Sequence, residues 1–213
     1  MTTETPAATG DTTAHVRNYR ERRYKSLDQR IVHGLEARII NGYLDQVCHE
    51  GDSVLDMPIG YGRFIDDLRQ RGCNVVGGDR KQGMLDLCTE TWGEEQPLVR
   101  LNGDALPFAD DSFDGLTCIR LFQHLHDPAL RQGVMNEIGR VTRRWAIVTT
   151  YLASPVHSAL HRSRGLKRLS RHDDAGLHWM LGRAGLRLVE GRRSMPGLHA
   201  QYVMLLAPAD PLD

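Results

Sequence analysis

From Ser53 to Thr150 the chain alternates short apolar stretches, too brief to be helices, with longer segments of helical character. Ser53-Val-Leu-Asp56, Asn74-Val-Val-Gly-Gly-Asp79, Pro97-Leu-Val-Arg-Leu101, Phe113-Asp-Gly-Leu-Thr-Cys-Ile119 and Trp145-Ala-Ile-Val-Thr-Thr150 read as five strands. Between them, helices are predicted after the glycine turn through Arg71, over about 83–92, and after Pro128, where proline suits a first helical turn. Such repeats admit few architectures. The strands must run parallel, in one sheet with helices on both faces. A helix over about 173–184 and two more strands, Leu186–Arg192 and His199–Ala207, complete the pattern. The short connection through Pro196-Gly197 makes these last two an antiparallel hairpin at the sheet edge. The expected fold class is α/β, a doubly wound seven-stranded sheet, mostly parallel.

Upstream, Leu27, Ile31, Leu35, Ile39, Tyr43 and Val47 recur at helical spacing and mark an amphipathic helix from about 27 to 48, stopped by Gly51-Asp52. Residues 1–15, rich in threonine, read as a flexible tail. Residues 16–50 then form an N-terminal helical arm, and 51–213 the main domain with an insertion at 151–171. A chain of 213 residues suits one such domain. At this length roughly 70% of the unfolded surface can be buried, so no covalent staple is needed. Cys48, Cys73, Cys88 and Cys118 stand singly, without a CxxC pair, and read as reduced thiols. The N-terminus lacks the basic and apolar regions of a leader, and no apolar run reaches the ~20 residues of a membrane span. A cytoplasmic protein, monomeric or homodimeric, is expected.

Charge excludes one class of function and narrows another. The 27 basic residues balance the 27 acidic ones, which argues against a dedicated duplex-binding protein. Only Lys25, Lys81 and Lys167 are lysines, so lysine-based Schiff-base or general-base chemistry is disfavoured.

The segment with chemical content is Val54-Leu-Asp-Met-Pro-Ile-Gly-Tyr-Gly-Arg-Phe64. A strand ends at Asp56, and Gly60 and Gly62 fall in the turn before a helix. Glycines there let backbone amides approach a ligand, and a helix N-terminus favours negative charge. Alone, the turn also fits a tight strand-to-helix connection. Asp79, ending the next strand, adds a second marker, since an acidic side chain there accepts hydrogen bonds from both hydroxyls of a ribose. Nicotinamide dependence is the competing reading, but the turn does not match GxGxxG.

With these residues the sequence resembles the class I S-adenosylmethionine-dependent methyltransferases of Rossmann-like fold, small-molecule type. Gly77-Gly-Asp-Arg-Lys-Gln-Gly-Met-Leu85 is similar to the family's second motif, Gly103-Asp-Ala-Leu-Pro-Phe-Ala-Asp-Asp-Ser-Phe-Asp114 to its third, and Leu121-Phe-Gln-His-Leu-His-Asp-Pro128 to the segment after the fourth strand. The resemblance implies S-adenosyl-L-methionine as cofactor, with S-adenosyl-L-homocysteine as product. It places Asp56, Pro58, Gly60, Gly62, Asp79, Arg80, Met84, Gly103, Asp104, Ala105 and Arg120 around that cofactor. Met84 packs near adenine, Asp104 contacts the adenine amino group, and Ala105 supplies a backbone N–H. Pro58-Ile59 depart from the family's glycine and small residue, and proline removes one donor.

For the acceptor, His124 and His126 are the candidate catalytic bases, because imidazole exchanges protons near neutral pH. A hydroxyl acceptor needs such a base, whereas a neutral amine can react by alignment alone. Tyr19 and Tyr24, in an arginine-rich arm, together with Tyr151, His157 and His161, are candidate acceptor-binding residues. His157 and His161 share a helix face as metal ligands do, but no third ligand follows, and no metal is expected. Asp110, Asp111 and Asp114 read as a solvated turn. The insertion carries the basic stretch Arg162-Ser-Arg-Gly-Leu-Lys-Arg-Leu-Ser-Arg171, which suits an anionic acceptor, RNA, an anionic membrane surface, or a solvated helix face. The leading expectation is O- or N-methylation of a small biosynthetic molecule. RNA methylation and a catalytically silent binding module are the alternatives.

Overall fold

The computed structural model describes residues 27–152, 174–194 and 201–209. In chain order these form α1 (Leu27–Val47), β1 (Ser53–Asp56), α2 (Ile65–Arg69), β2 (Asn74–Asp79), α3 (Gln82–Trp92), β3 (Leu98–Arg100) and β4 (Phe113–Cys118). A 3-10 turn (Phe122–His124) leads to α4 (Pro128–Val141), β5 (Thr142–Tyr151), α5 (Asp174–Arg183), β6 (Leu186–Arg193) and β7 (Gln201–Pro208). The seven strands lie in the order β3-β2-β1-β4-β5-β7-β6. The first five are parallel, and β7 inserts antiparallel between β5 and β6, as the alternation implies.

Alternation of side chains along each strand feeds two cores. On one face, Leu55, Leu116, Ala146, Val148, Met204 and Leu206 pack beneath α4 and α5, which contribute Met135, Ile138, Leu177 and Leu181. On the other, Val54, Trp145, Ile147, Val203 and Leu205 pack beneath α1, α2 and α3 through Ile40, Tyr43, Leu44, Ile65, Leu68 and Leu85. The helices cover both faces because every central strand is apolar on both.

Two differences from the sequence reading have clear causes. β5 begins at Thr142, directly after α4, rather than at Trp145. Its polar start is anchored sideways: Arg143 pairs with Asp114 at 2.8 Å, and Arg144 with Asp52 at 2.7 Å. The second difference is the face of α1. Ile31 and Leu35 are 50% and 37% exposed, while His33, Glu36, Ile40, Tyr43 and Leu44 are buried. The inward stripe therefore contains an acid, which an apolar-periodicity rule passes over. The acidic turn before β4 is also more engaged than a solvated loop. Asp110 pairs with Arg140 at 2.8 Å, and Asp114 also accepts from the Ser53 hydroxyl.

No helix among the described residues is long and apolar enough to cross a membrane. The four cysteines are free thiols.

Candidate functional site

The strand order reverses between β1 and β4, and a cleft of about 930 Å³ opens over the carboxyl ends of β1, β2 and β4. Such a reversal is where an open α/β sheet parts its loops and leaves room for a ligand. Asp56, Pro58, Gly60, Asp79, Arg80, Met84, Gly103, Asp104, Arg120 and His124 all line this cleft. Positions scattered over nearly 70 residues of sequence thus converge on one wall system.

At the centre lies Asp79. Its Oδ2 accepts the Gly60 amide at 3.1 Å and its Oδ1 accepts the Lys81 amide at 2.9 Å. Each carboxylate oxygen is oriented by one backbone bond and keeps acceptor capacity toward the cleft. Burial pushes its proton affinity up, and the Lys81 and Gly60 amides oppose that without cancelling it. Two adjacent acceptors in one plane match a vicinal diol.

Gly60 and Gly62 divide their work. Both have positive φ, +58° and +77°, which glycine adopts without steric cost. A Cβ at Gly60 would meet nothing, so its backbone faces open cleft. A Cβ at Gly62 would penetrate the Trp92 indole and Ile65, and Gly62 is not part of the cleft lining. Trp92 Nε1 donates to the Tyr61 carbonyl at 3.1 Å, so this glycine serves the packing of α3 against the turn.

The departure at Pro58-Ile59 is absorbed by β2. The Met57–Pro58 peptide is cis. The Ile59 amide donates to the Gly78 carbonyl at 2.8 Å, and the Ile59 side chain occupies the space that a Cβ at Gly77 would need. The bulkier residue is thus turned down onto the sheet and 3% exposed, leaving the cleft open.

Beneath the turn, Asp56 is 3% exposed and takes the Thr117 hydroxyl at 2.6 Å. Burial pushes its carboxyl up to about 7, with the Asp79 charge adding to the shift and Thr117 and Arg63 opposing it. Met84, Leu101, Leu130 and Val134 give the same cleft apolar lining, and Asn102 and Asp104 line it too. The Ala105 amide donates to the Asn102 carbonyl at 3.2 Å, and Ala105 is not among the lining residues.

The opposite end is basic, and most of it escaped the sequence reading. Glu36 of α1, 0% exposed, pairs with Arg63 at 2.7 Å and Arg120 at 2.8 Å, and also accepts the Gln201 side-chain amide. Burial raises its carboxyl, but the Arg120 and Arg63 charges and hydrogen bonds outweigh that and hold it below the usual range. Arg63 also donates to the His33 carbonyl at 3.0 Å. The available signal was Glu36 falling i−4 from Ile40 and i−7 from Tyr43, inside the buried stripe.

His124 lines the cleft on the 3-10 turn, whereas His126, two residues on, lies outside the lining; both are exposed. Tyr151 ends β5 opposite Gln201 and is also outside it. Tyr19, Tyr24, His157, His161 and the basic stretch 162–171 lie outside the described residues. Among the described residues no group of three or more His, Cys, Asp or Glu side chains is placed to hold a metal ion.

Comparison with known proteins points the same way. Residues 55–148 match the model of a family described as a methyltransferase domain. A demethylmenaquinone methyltransferase of Mycobacterium marinum is 30% identical over 184 residues, spanning 71% of this chain and 76% of that protein. One from Deinococcus radiodurans is 36% identical over 88 residues, 39% of this chain; there the match spans 36% of the relative's own length. In fold, the chain is similar to magnesium protoporphyrin IX methyltransferase from Synechocystis PCC 6803 with bound S-adenosylhomocysteine. That likeness has a TM-score of 0.75 at 13% identity, over 92% of this chain and 96% of that one. It is likewise similar to the 1,6-didemethyltoxoflavin-N1-methyltransferase of Burkholderia thailandensis. There the TM-score is 0.64 at 21% identity, over 98% and 94% of the two chains.

Proposed function

Because the chain belongs to the class I S-adenosylmethionine-dependent methyltransferases, we propose that it moves a methyl group from S-adenosylmethionine to a small biosynthetic molecule. The observation that carries this is the Asp79 carboxylate, oriented by the Gly60 and Lys81 amides at the reversal point of the sheet. The cleft fits the cofactor in three respects. Asp79 suits a ribose diol, Met84, Leu101, Leu130 and Val134 suit a flat apolar ring, and Asp104, in the same lining, suits an exocyclic amine donor.

When bound, the cofactor supplies an electrophilic methyl group on a sulfonium. The chain's own residues bind and align. Holding two reactants in line is worth roughly 7–11 kcal/mol of barrier where the geometry is close. Ile59, turned onto Gly77, keeps the turn low so that a ligand can pass over it. His124, one of two histidines in the lining with His33, is suited to accept the proton released when a hydroxyl or a neutral amine takes the methyl group. His126, outside the lining, is given no such role. The curated relatives named demethylmenaquinone methyltransferase support a small biosynthetic acceptor for this chain too.

Titration calorimetry with S-adenosylhomocysteine tests the reading. Saturable binding at micromolar ligand is the expected result, and no heat at millimolar ligand overturns it.

A further inference from the structure

The basic end of the cleft has a construction that cofactor binding at Asp79 does not require. Arg120 is one of two non-glycine residues with positive φ among those described, at +64°. That conformation is disfavoured for a residue with a Cβ, so its surroundings must hold it. The Arg120 amide donates to Thr149 Oγ1 at 2.7 Å, and its Nε lies 3.0 Å from each carboxylate oxygen of Glu36. The same carboxylate takes Arg63 Nη1 at 2.7 Å. Two guanidiniums therefore share one buried acid, and among the described residues neither is bonded to a second carboxylate. One net positive charge remains at the cleft wall, beside His33 Nε2 at 3.3 Å from Arg120 Nη1. Asp56 feels Arg63 electrostatically but is bonded to Thr117.

The Nε–Nη2 edge of Arg120 is fixed on Glu36 and Nη1 lies beside His33, which leaves the second N–H of Nη1 and of Nη2 as the pair it can offer to an incoming anion. Resting on the function proposed above, we propose that Arg120, flanked by Arg63, anchors the methyl acceptor by a carboxylate or comparable oxyanion. His124 lies four residues further on in the same cleft wall, so an acceptor held by its anion has a proton acceptor in the same chamber. Glu36 is a positioning residue: it acts through the two arginines. The carboxylate of the cofactor's amino-acid portion has the same chemistry, and the experiment separates the two sources.

Benzoate is the probe, followed by saturation-transfer NMR on the full chain. It is titrated into protein that is free, saturated with S-adenosylhomocysteine, or saturated with 5′-methylthioadenosine, which lacks the amino-acid portion. Benzoate is expected to bind the S-adenosylhomocysteine-saturated protein. R120Q should weaken it about tenfold, and R120K, which keeps the charge but loses the fork, by less. E36Q should behave like R120Q, while R143Q, at a surface pair, should leave benzoate binding as it is. S-adenosylhomocysteine affinity should fall less than benzoate affinity in R120Q. Should E36Q not fold, R120Q and R120K decide. Benzoate excluded by S-adenosylhomocysteine but not by 5′-methylthioadenosine assigns the arginines to the cofactor and overturns the proposal. Unchanged benzoate binding in R120Q overturns it as well. S-adenosylhomocysteine binding without benzoate binding sinks this proposal alone, whereas failure of S-adenosylhomocysteine to bind sinks the underlying function with it.

Discussion

Thr117 on β4 donates its hydroxyl to Asp56 at the end of β1 across 2.6 Å, yet that carboxyl is still pushed up to about 7, because burial outweighs the bond. An unfolded aspartate titrates near 3.9. The folded state therefore binds the proton more tightly, and the stability this group contributes is fully present below about pH 4 and lost as pH rises through 7. Asp56→Asn removes the titration. In urea unfolding, the stability difference between D56N and the parent should shift in favour of D56N from pH 5 to pH 8. A difference independent of pH would show that Asp56 is ionised in the fold well below neutrality.

Glu36 has the opposite sign. Its carboxyl is held low by Arg120 and Arg63 despite burial, so its contribution is present above the unfolded carboxylate range and lost as pH falls through the folded value. Glu36→Ala leaves two partly buried guanidiniums without their acid and should cost about 3–5 kcal/mol at pH 7. The loss should shrink toward pH 3 in denaturant melts.

Asp79 is oriented by two backbone amides and keeps capacity for two more bonds. Asp79→Ala should weaken S-adenosylhomocysteine binding by about 1–3 kcal/mol, measured by calorimetry. Asp79→Asn, which keeps one acceptor, should fall between. Equal affinity in all three proteins would remove the carboxylate from the binding scheme.

The two turn glycines should separate stability from binding. Gly62→Ala meets both a positive φ and the Trp92 ring, and should cost about 2–4 kcal/mol of folding stability. Gly60→Ala has only the backbone penalty, about 1–2 kcal/mol, but places a methyl in the cleft. Its larger effect should appear in the S-adenosylhomocysteine titration. Equal thermal shifts for the two variants would refute this division.

Ile59 and Gly77 form a mutual fit across the β1–β2 edge. Gly77→Ala should destabilise the parent but do so less in an Ile59→Ala background. The double-mutant cycle should return a coupling of about 1–2 kcal/mol. Simple additivity would mean that Ile59 moves aside freely.

Most of the sheet was legible because strand and helix periods differ, and because each central strand announces itself as an apolar run bounded by turn residues. That Asp79 and Gly60 share one end of the cleft was legible for a different reason: they owe their positions to local chain geometry, the end of one strand and the turn after another. The basic end was not, since Glu36, Arg63 and Arg120 come from three separate segments and meet only through tertiary packing. Periodicity placed Ile39, Tyr43 and Val47 correctly on the core side of α1 but failed earlier in the helix, where Ile31 and Leu35 point outward and an ion-paired glutamate points in. An apolar count carries no information on which acids will find two arginines. Pro58-Ile59 looked like a threat to the turn because the compensating space, at Gly77, lies on a neighbouring strand.

Consecutive residues of β5 belong to opposite cores: Trp145 and Ile147 to one, Ala146 and Val148 to the other. With α4 joined to β5 without a spacer, a one-residue deletion at 145–148 cannot be taken up by a loop upstream. It would send a tryptophan into the space built for an alanine and an alanine into the space built for a tryptophan, on both sides of the sheet at once. This strand therefore works as the indexing pin of the whole domain, whose length is fixed by both cores at once.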